Sequence, residues 1–184
     1  MTKSANVISA ENAFTLLNEG VPIVDTHIEG LLRIETTRPW KQPLIFENCT
    51  LEFFSGNVTR FDKPVRLINC HFKKCDFTFS YFHCGLIIER CNFDHYLDFQ
   101  AGGHNNHPVI ISNCIFNGFV NFFDCQYEAA VNISNNEFRK GTNLLGSPNN
   151  ISVIFEVKPV IENNTGKLDC NDEGDYEDKA GYLL

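Results

Sequence analysis

The sequence predicts an all-β fold, a right-handed parallel β-helix of about six turns with a short capping helix at its N-terminal end. Three observations predict it: a phrase that returns about every 21 to 23 residues, a finer period of five residues within it, and one helix-like segment before the repeats. The first two indicate a coil of short stacked strands. The third supplies a cover for one open end of that coil.

The repeated phrase combines apolar residues, an Asn-Cys pair or a variant of it, and a large apolar residue. Its copies occupy residues 43–51, 64–72, 85–93, 108–116 and, in degraded form, 130–138. Successive turns of a β-coil lie about 4.8 Å apart, so equivalent residues should line up in columns. We expect three columns: the thiols Cys49, Cys70, Cys91 and Cys114; the large apolar Leu51, Phe72, Phe93, Phe116 and Phe138; and, at a corner, Asn48, Asn69, Asn113 and Asn135.

The finer period places a small or branched residue two positions before a large apolar one, every five residues. Val65 and Leu67 begin the series and Ser80 and Phe82 end it. Neither a helix nor an alternating strand has this period, whereas a square coil has it when each short side directs one small and one large residue inward. The pattern resembles that of the pentapeptide-repeat family, most specifically over 65–93, with Cys in place of the usual Ala and Phe in place of most Leu. The alternative is a generic parallel β-helix with slightly longer turns, which has the same architecture.

The predicted cap is a helix over 9–20. Ser9 can accept a hydrogen bond from an amide of the first helical turn, and Gly20 can adopt the left-handed conformation that ends a helix. Three segments follow from this division: 1–21 with the capping helix, 22–168 as the coil, and 169–184 as an acidic tail.

Composition restricts the function classes. The net charge is −8, of which −5 lies in the tail, so the coil has no basic stripe for direct binding of nucleic acid. No apolar run is long enough to span a membrane, and no export signal precedes the repeats. The eight cysteines form no CxxC pair. Free buried thiols fit a reducing compartment, so we expect a cytoplasmic protein.

Candidate chemistry is sparse. His104 and His107 lie in 100–107, within the longest insertion between copies, and could ligate a metal; yet an HxxH pattern in a loop does not place both rings on one face, so we expect no metal and no cofactor. Asp94, Asp98 and Asp124 could serve a glycan-cleaving β-helix, but short turns leave little material for the walls of a cleft.

The sequence therefore favours a non-catalytic scaffold that binds another protein or itself. Aromatic residues beyond the inward columns could mark its contact face: Phe53, Tyr81, Tyr96, Phe123 and, near the C-terminus, Tyr182. A coil end exposes strand edges, so a homodimer through the last turn and residues 182–184 is a further expectation. Two alternatives are a glycan-binding or glycan-cleaving β-helix and a DNA mimic that acts on a type II topoisomerase. The mimic is implied by the family resemblance, and the nearly balanced charge of the coil argues against it.

Overall fold

The computed structural model describes residues 6–34 and 39–174. They form a parallel β-solenoid of about six turns with one helix near the N-terminus, which confirms the predicted fold class. In chain order the elements are β1 (Asn6–Ser9), α1 (Ala10–Asn18), β2 (Ile23–Val24), β3 (Thr26–Arg33), β4 (Leu44–Glu47), β5 (Thr50–Ser55), β6 (Arg60–Phe61), β7 (Val65–Ile68), β8 (His71–Asp76), β9 (Tyr81–Phe82), β10 (Leu86–Glu89), β11 (Asn92–Phe93), β12 (Leu97–Asp98), β13 (Val109–Ser112), β14 (Ile115–Phe116), β15 (Val120–Asn121), β16 (Gln126–Tyr127), β17 (Val131–Ser134), β18 (Glu137–Phe138), a 3₁₀ helix (Pro148–Asn150), β19 (Ile154–Phe155), β20 (Val160–Glu162) and β21 (Thr165–Gly166).

Each turn of the coil has four short sides. Side 1 is a seven-stranded sheet in the order β2-β4-β7-β10-β13-β17-β20. Sides 2 and 3 share the ten-stranded sheet: β3, β5 and β8 run around the corner between them, and later turns break there into β11 and β12 or β14 and β15. Side 4 consists of the pairs β6-β9 and β16-β19, joined by parallel bridges at Gly103. Every strand pairing is parallel, as a coil that always winds in one direction requires.

The five-residue period corresponds to one side of the coil. In the second repeat all eight residues of the predicted small-and-large pairs are at most 3% exposed: Val65 and Leu67, Cys70 and Phe72, Cys75 and Phe77, Ser80 and Phe82. Within a side the two inward residues are two apart, as in any strand. At a corner the spacing widens to three, because two consecutive residues such as Lys73 and Lys74 both point outward.

Aromatic rings fill the interior in two stacks. On side 2, the rings of Phe72, Phe93, Phe116 and Phe138 follow one another at centroid distances of 4.9, 5.1 and 4.9 Å, with planes within 14° of parallel. On side 3, Phe77, Phe99 and Phe122 stack at 5.5 and 5.1 Å. Burial of each ring stabilises the fold by about 1.5–3 kcal/mol. A slip of one residue would expose a whole stack, so the stacks also fix the register of the turns.

The helix covers the N-terminal end of the coil, as predicted. Ser9 caps it by accepting from the amide of Asn12 at 3.2 Å. Beyond its end, Gly20 (φ 77°) donates to the carbonyl of Leu17, and the next amide donates to that of Leu16. This double hydrogen bond ends a helix with a left-handed glycine. Ala13 and Leu17 are fully buried against the first turn, so the helix covers its interior, while β1 forms the edge of the larger sheet at this end.

The spacing of the turns widens after the fifth copy. Side-1 strands recur after 21, 21, 23 and 22 residues, but Asn132 pairs with Val160, 28 positions on. The longest insertion in the coil is therefore the segment with the 3₁₀ helix, which lies beyond the fifth copy; between the five copies, the interval that contains 100–107 is the longest, as expected.

The first residues of the predicted acidic tail also belong to the folded body. Cys170 is 7% exposed and clusters with Tyr96 and Phe119, and Gly174 lies directly over the Phe119 ring. Residues 175–184 lie outside the described part of the chain.

Candidate functional site

The thiol column lies where the repeat predicts it, and its function is structural. Cys70 donates its amide toward the Sγ of Cys91 at 3.4 Å, and that thiol donates to the carbonyl of Leu67 at 3.3 Å. Asn136 continues the column and makes the same two bonds with its amide, at 2.9 Å to the Cys114 amide and 2.9 Å to the Ile111 carbonyl. A thiol or a side-chain amide therefore bonds the backbone amide at the bend between sides 1 and 2 and a carbonyl of the side-1 strand before it.

The electrostatics of the thiols agree with a buried structural role. Burial holds the pKa of Cys75 well above its usual range and raises the pKa of Cys125 to about 12. In the column, the hydrogen bond between Cys49 and Cys70 raises the pKa of the former and lowers that of the latter. Cys70 is only 3% exposed, so this thiol is not accessible as a nucleophile.

A second column of small polar residues lies at the opposite corner, between sides 3 and 4. The hydroxyl of Thr59 donates to the carbonyl of Ile34 at 2.6 Å, that of Ser80 to the carbonyl of Gly56 at 2.7 Å, and the Cys125 thiol to that of Phe99 at 2.9 Å. The sequence signal for this column is the inward small position of the five-residue period. Cys125, which falls outside the repeated Asn-Cys phrase, thus performs the same function as the main thiol column.

Both of these corners require left-handed backbone in the residue before the small polar one. At the corner between sides 1 and 2, here called the Asn corner, all seven such residues have φ between 51 and 58°: Asp25, Asn48, Asn69, Arg90, Asn113, Asn135 and Asn163. Asn and Asp tolerate this conformation better than other residues with a β-carbon. Their amides also bond between turns, Asn69 to Asn48 at 2.8 Å and Asn48 to Asp25 at 2.9 Å. The predicted Asn column is confirmed, and only Arg90 departs from its chemistry.

The corner between sides 3 and 4, here called the Val-Phe corner, breaks the same rule. Its left-handed residues, with φ between 50 and 56°, are Val58, Phe79, Ala101 and Asp124. A β-branched or bulky residue in this conformation is strained. Nor does burial compensate, because Val58 is 67% and Phe79 48% exposed. Two adjacent turns thus present apolar side chains to solvent at positions where Asn or Gly would be more stable.

The aromatic residues predicted to form a contact face do not all lie on the surface. Tyr96 is 1% exposed, and its hydroxyl donates to the carbonyl of Glu173 at 2.7 Å. The expectation that it is exposed was wrong, because residues 169–174 fold over it. Phe53 is half-buried with the Lys74 ammonium 5.9 Å from its ring centre, and Tyr81 packs edge-on against His104 at 4.4 Å.

Phe123 is half-buried and immediately precedes Asp124 of the Val-Phe corner. Tyr182 lies outside the described residues.

The two loop histidines have different partners. His104 contacts the Oε1 of Glu128 through Nδ1 at 2.8 Å, whereas the Nδ1 of His107 lies 3.1 Å from the carbonyl oxygen of His83. Within residues 6–34 and 39–174, no three His, Cys, Asp or Glu side chains gather in a way that could hold a metal ion.

The candidate carboxylates serve turns and ion pairs. Asp98 accepts from the backbone amide of Gln100 at 2.9 Å and from the side chain of Asn121 at 3.0 Å, which fixes a corner. Asp94 contacts the ring of His71 at 2.8 Å on the outside of side 2. Asp124 is exposed at the Val-Phe corner.

No protein-family model matches the sequence, and a comparison with curated proteins finds no match. The resemblance to pentapeptide repeats therefore rests on the residue pattern and on the solenoid itself. Of the helices in the described part of the chain, none is long and apolar enough to cross a membrane.

A broader apolar surface, which the sequence reasoning did not single out, lies on the outside of side 1. The strand register places Ile45, Ile87 and Ile110 in one column, interrupted by Arg66, and Ile68 stands in the neighbouring column. These isoleucines are half-buried. Branched side chains pack in this way on the outer surface of a parallel sheet, so their arrangement follows from sheet formation and points to no ligand.

Proposed function

We propose that this protein is a non-catalytic interaction scaffold that binds another protein through the Val-Phe corner. One observation carries the proposal: Val58 and Phe79 combine strained backbone with exposed apolar side chains on adjacent turns. Departures from local rules that bring no folding benefit tend to mark functional positions. The Asn corner, which faces the same backbone requirement, meets it with Asn or Asp at six of its seven positions.

The surroundings of this corner suit an apolar contact. Asn57 and Thr78, the residues that precede Val58 and Phe79, are uncharged, and the half-buried ring of Phe123 lies on the same corner. An exposed apolar ridge with uncharged Asn57 and Thr78 beside it, and with the exposed Asp124 two turns beyond Phe79, fits a complementary apolar groove on a protein partner. A rigid coil holds such a ridge in place, which lowers the entropy lost on binding.

Charge pairing on the coil gives no support to the DNA-mimic alternative. Such a mimic needs rows of unneutralised acids along the rod. Here Glu52 lies 3.3 Å from Lys73, Asp62 3.1 Å from Arg60, and Glu137 3.0 Å from Arg139.

The proposal is tested with the double variant Val58→Asn/Phe79→Asn, and Arg90→Asn serves as the matched control at the other left-handed corner. Each variant changes left-handed residues to Asn, so both should be at least as stable to urea as the parent chain. In affinity capture with chemical cross-linking from a native lysate, the double variant should lose proteins that the parent and Arg90→Asn retain. Identical sets of captured proteins for all three chains would contradict the proposal.

A further inference from the structure

The chain reverses its direction along the coil after the last turn. The turns are numbered here one to five after the five copies of the repeated phrase. Cys170 donates its amide to the carbonyl of Thr142 in turn five at 3.1 Å. The carbonyl of Glu173 then accepts from the hydroxyl of Tyr96 in turn three at 2.7 Å. Residues 170–174 therefore run along the outside of the coil, from its C-terminal end back toward its N-terminal end.

This segment follows a column of outward-facing residues at the corner between sides 2 and 3. The strand register aligns the members of this outer column: Leu31, Phe53, Lys74, Tyr96 and Phe119. Tyr96 and Phe119 are only 1% and 4% exposed, because residues 170–174 lie over them. At the other end of the column Leu31 is 37% exposed, and Phe53 is half-buried.

Opposite charges meet at the point where the described segment ends. Beyond Gly174 the sequence continues with three acids, Asp175, Glu177 and Asp178. Beyond Tyr96 the outer column continues with Lys74, and Lys73 stands beside it on the same corner. Lys73 contacts Glu52 at 3.3 Å, an exposed pair whose ammonium has further hydrogen bonds to donate. A segment that keeps its path therefore brings its acids to two bases, and complementary charge favours that path.

The apolar residues of the two partners occur in the matching order. Residues 182–184 are Tyr, Leu and Leu, and the outer column ends with Phe53 and Leu31, whose apolar surface such side chains can cover. Four turns separate Phe119 from Leu31, a distance of about 19 Å along the axis. The segment 175–184 spans up to about 33 Å when extended, so it is long enough to reach Leu31.

We propose that residues 175–184 bind along the outer column of their own chain, with the acids at Lys73 and Lys74 and residues 182–184 against Phe53 and Leu31. The tether at Gly174 makes the contact intramolecular, with an effective concentration in about the millimolar range, so weak individual contacts suffice. A ligand of this corner must first displace the segment. The outer column is separate from the Val-Phe corner, and neither proposal depends on the other.

Hydrogen exchange of the full chain, followed by mass spectrometry, tests the proposal on the amides of 175–184. Their exchange should be about tenfold slower than in a free peptide of the same sequence, and independent of protein concentration. Lys73→Glu/Lys74→Glu should raise the rate to that of the peptide. Lys63→Glu/Arg66→Glu, which makes the same charge change at exposed positions away from the outer column, should leave the protection unchanged. Far-UV circular dichroism of each variant verifies that it is folded.

Two further variants examine the two halves of the contact separately. Addition of Asp175→Lys/Glu177→Lys to Lys73→Glu/Lys74→Glu exchanges the charges of the two partners and should restore the protection. Leu31→Asp should accelerate exchange at the apolar end of the segment and leave the acidic end protected.

Three results would overturn the proposal. The first is exchange of 175–184 in the parent chain at the rate of the free peptide. The second is protection that survives Lys73→Glu/Lys74→Glu, because the segment would then lie elsewhere. The third is protection that increases with protein concentration, because a second copy would then supply the segment.

Discussion

Replacement of Arg90 by Asn should make this protein more stable. Arg90 is the one residue of the Asn corner that is neither Asn nor Asp, and it adopts the left-handed conformation with φ 52°. Its neighbours in the column are Asn69 on the preceding turn and Asn113 on the next. Arg90→Asn would complete a series of side-chain amides from Asn48 to Asn135.

The magnitude follows from two gains and one loss. Left-handed backbone costs an ordinary residue about 1–2 kcal/mol, of which Asn avoids a substantial part. A bond between amides of adjacent turns, like the 2.8 Å bond from Asn69 to Asn48, adds about 0.5–1 kcal/mol at an exposed site. Against this, the variant loses the pairing of Arg90 with Glu89 at 3.5 Å, an exposed ion pair worth about 0–1 kcal/mol. The net expectation is about 1 kcal/mol of added stability.

Urea unfolding followed by circular dichroism measures this difference, and Arg90→Ala provides the matched comparison. Alanine loses the same ion pair but meets the same left-handed strain, so its midpoint should not rise. Arg90→Gly removes the strain without the amide and should fall between the two. If Arg90→Asn were no more stable than Arg90→Ala, the account of the corner as a left-handed position would be refuted.

Four further outcomes test the interior and the surface. Phe93→Ala removes one of the two inner rings of the side-2 stack. This ring is 1% exposed and has rings at 4.9 and 5.1 Å on its two sides, so the free energy of unfolding should fall by about 3–5 kcal/mol in urea titrations. Cys91→Val leaves the backbone amide of Cys70, at the Asn corner, without its acceptor and should cost about 1–3 kcal/mol by the same method. Iodoacetamide, with mass spectrometry as the readout, should modify native protein at Cys84, the one half-buried thiol, and reach the other seven only after denaturation. Glu52 accepts hydrogen bonds from the Gly30 amide and the Lys73 ammonium, and both contacts lower the pKa of its carboxyl group. The ionised carboxylate therefore stabilises the fold above its unfolded pKa of about 4.3, and this stabilisation is lost as the pH falls further. Glu52→Gln should flatten the decline of the urea midpoint between pH 5 and pH 3.

The sequence was most informative where the same type of residue recurs at the same position in successive turns. The Asn-Cys phrase and the five-residue period predicted the thiol column, the aromatic stack on side 2 and the Asn corner, because a stacked turn places equivalent residues in equivalent environments. The capping helix was also readable, since Ser9 and Gly20 act on backbone groups within a few residues of themselves.

What the sequence did not give depends on contacts between distant segments. Tyr96 is covered by residues around Glu173, 77 positions away, and no local pattern signals that contact. The Val-Phe corner was missed for a different reason. Three of its four left-handed residues are Val, Phe and Ala, types that normally argue against this conformation. The backbone angles of Val58 and its equivalents therefore identify the corner as the equivalent of the Asn corner.

Disulfide trapping between neighbouring turns tests the central claim, that residues one repeat apart lie directly above one another. Asn92 and Ile115 are register partners on adjacent turns, and His71 and Ile115 are separated by one turn more. The corresponding Cα distances are about 4.8 and about 9.6 Å, and a disulfide forms only below about 7 Å. In a Cys84→Ser background under mild oxidation, Asn92→Cys/Ile115→Cys should form an intramolecular disulfide detectable by mass spectrometry, and His71→Cys/Ile115→Cys should not. A bond in the second variant, or none in the first, would contradict the stacked coil.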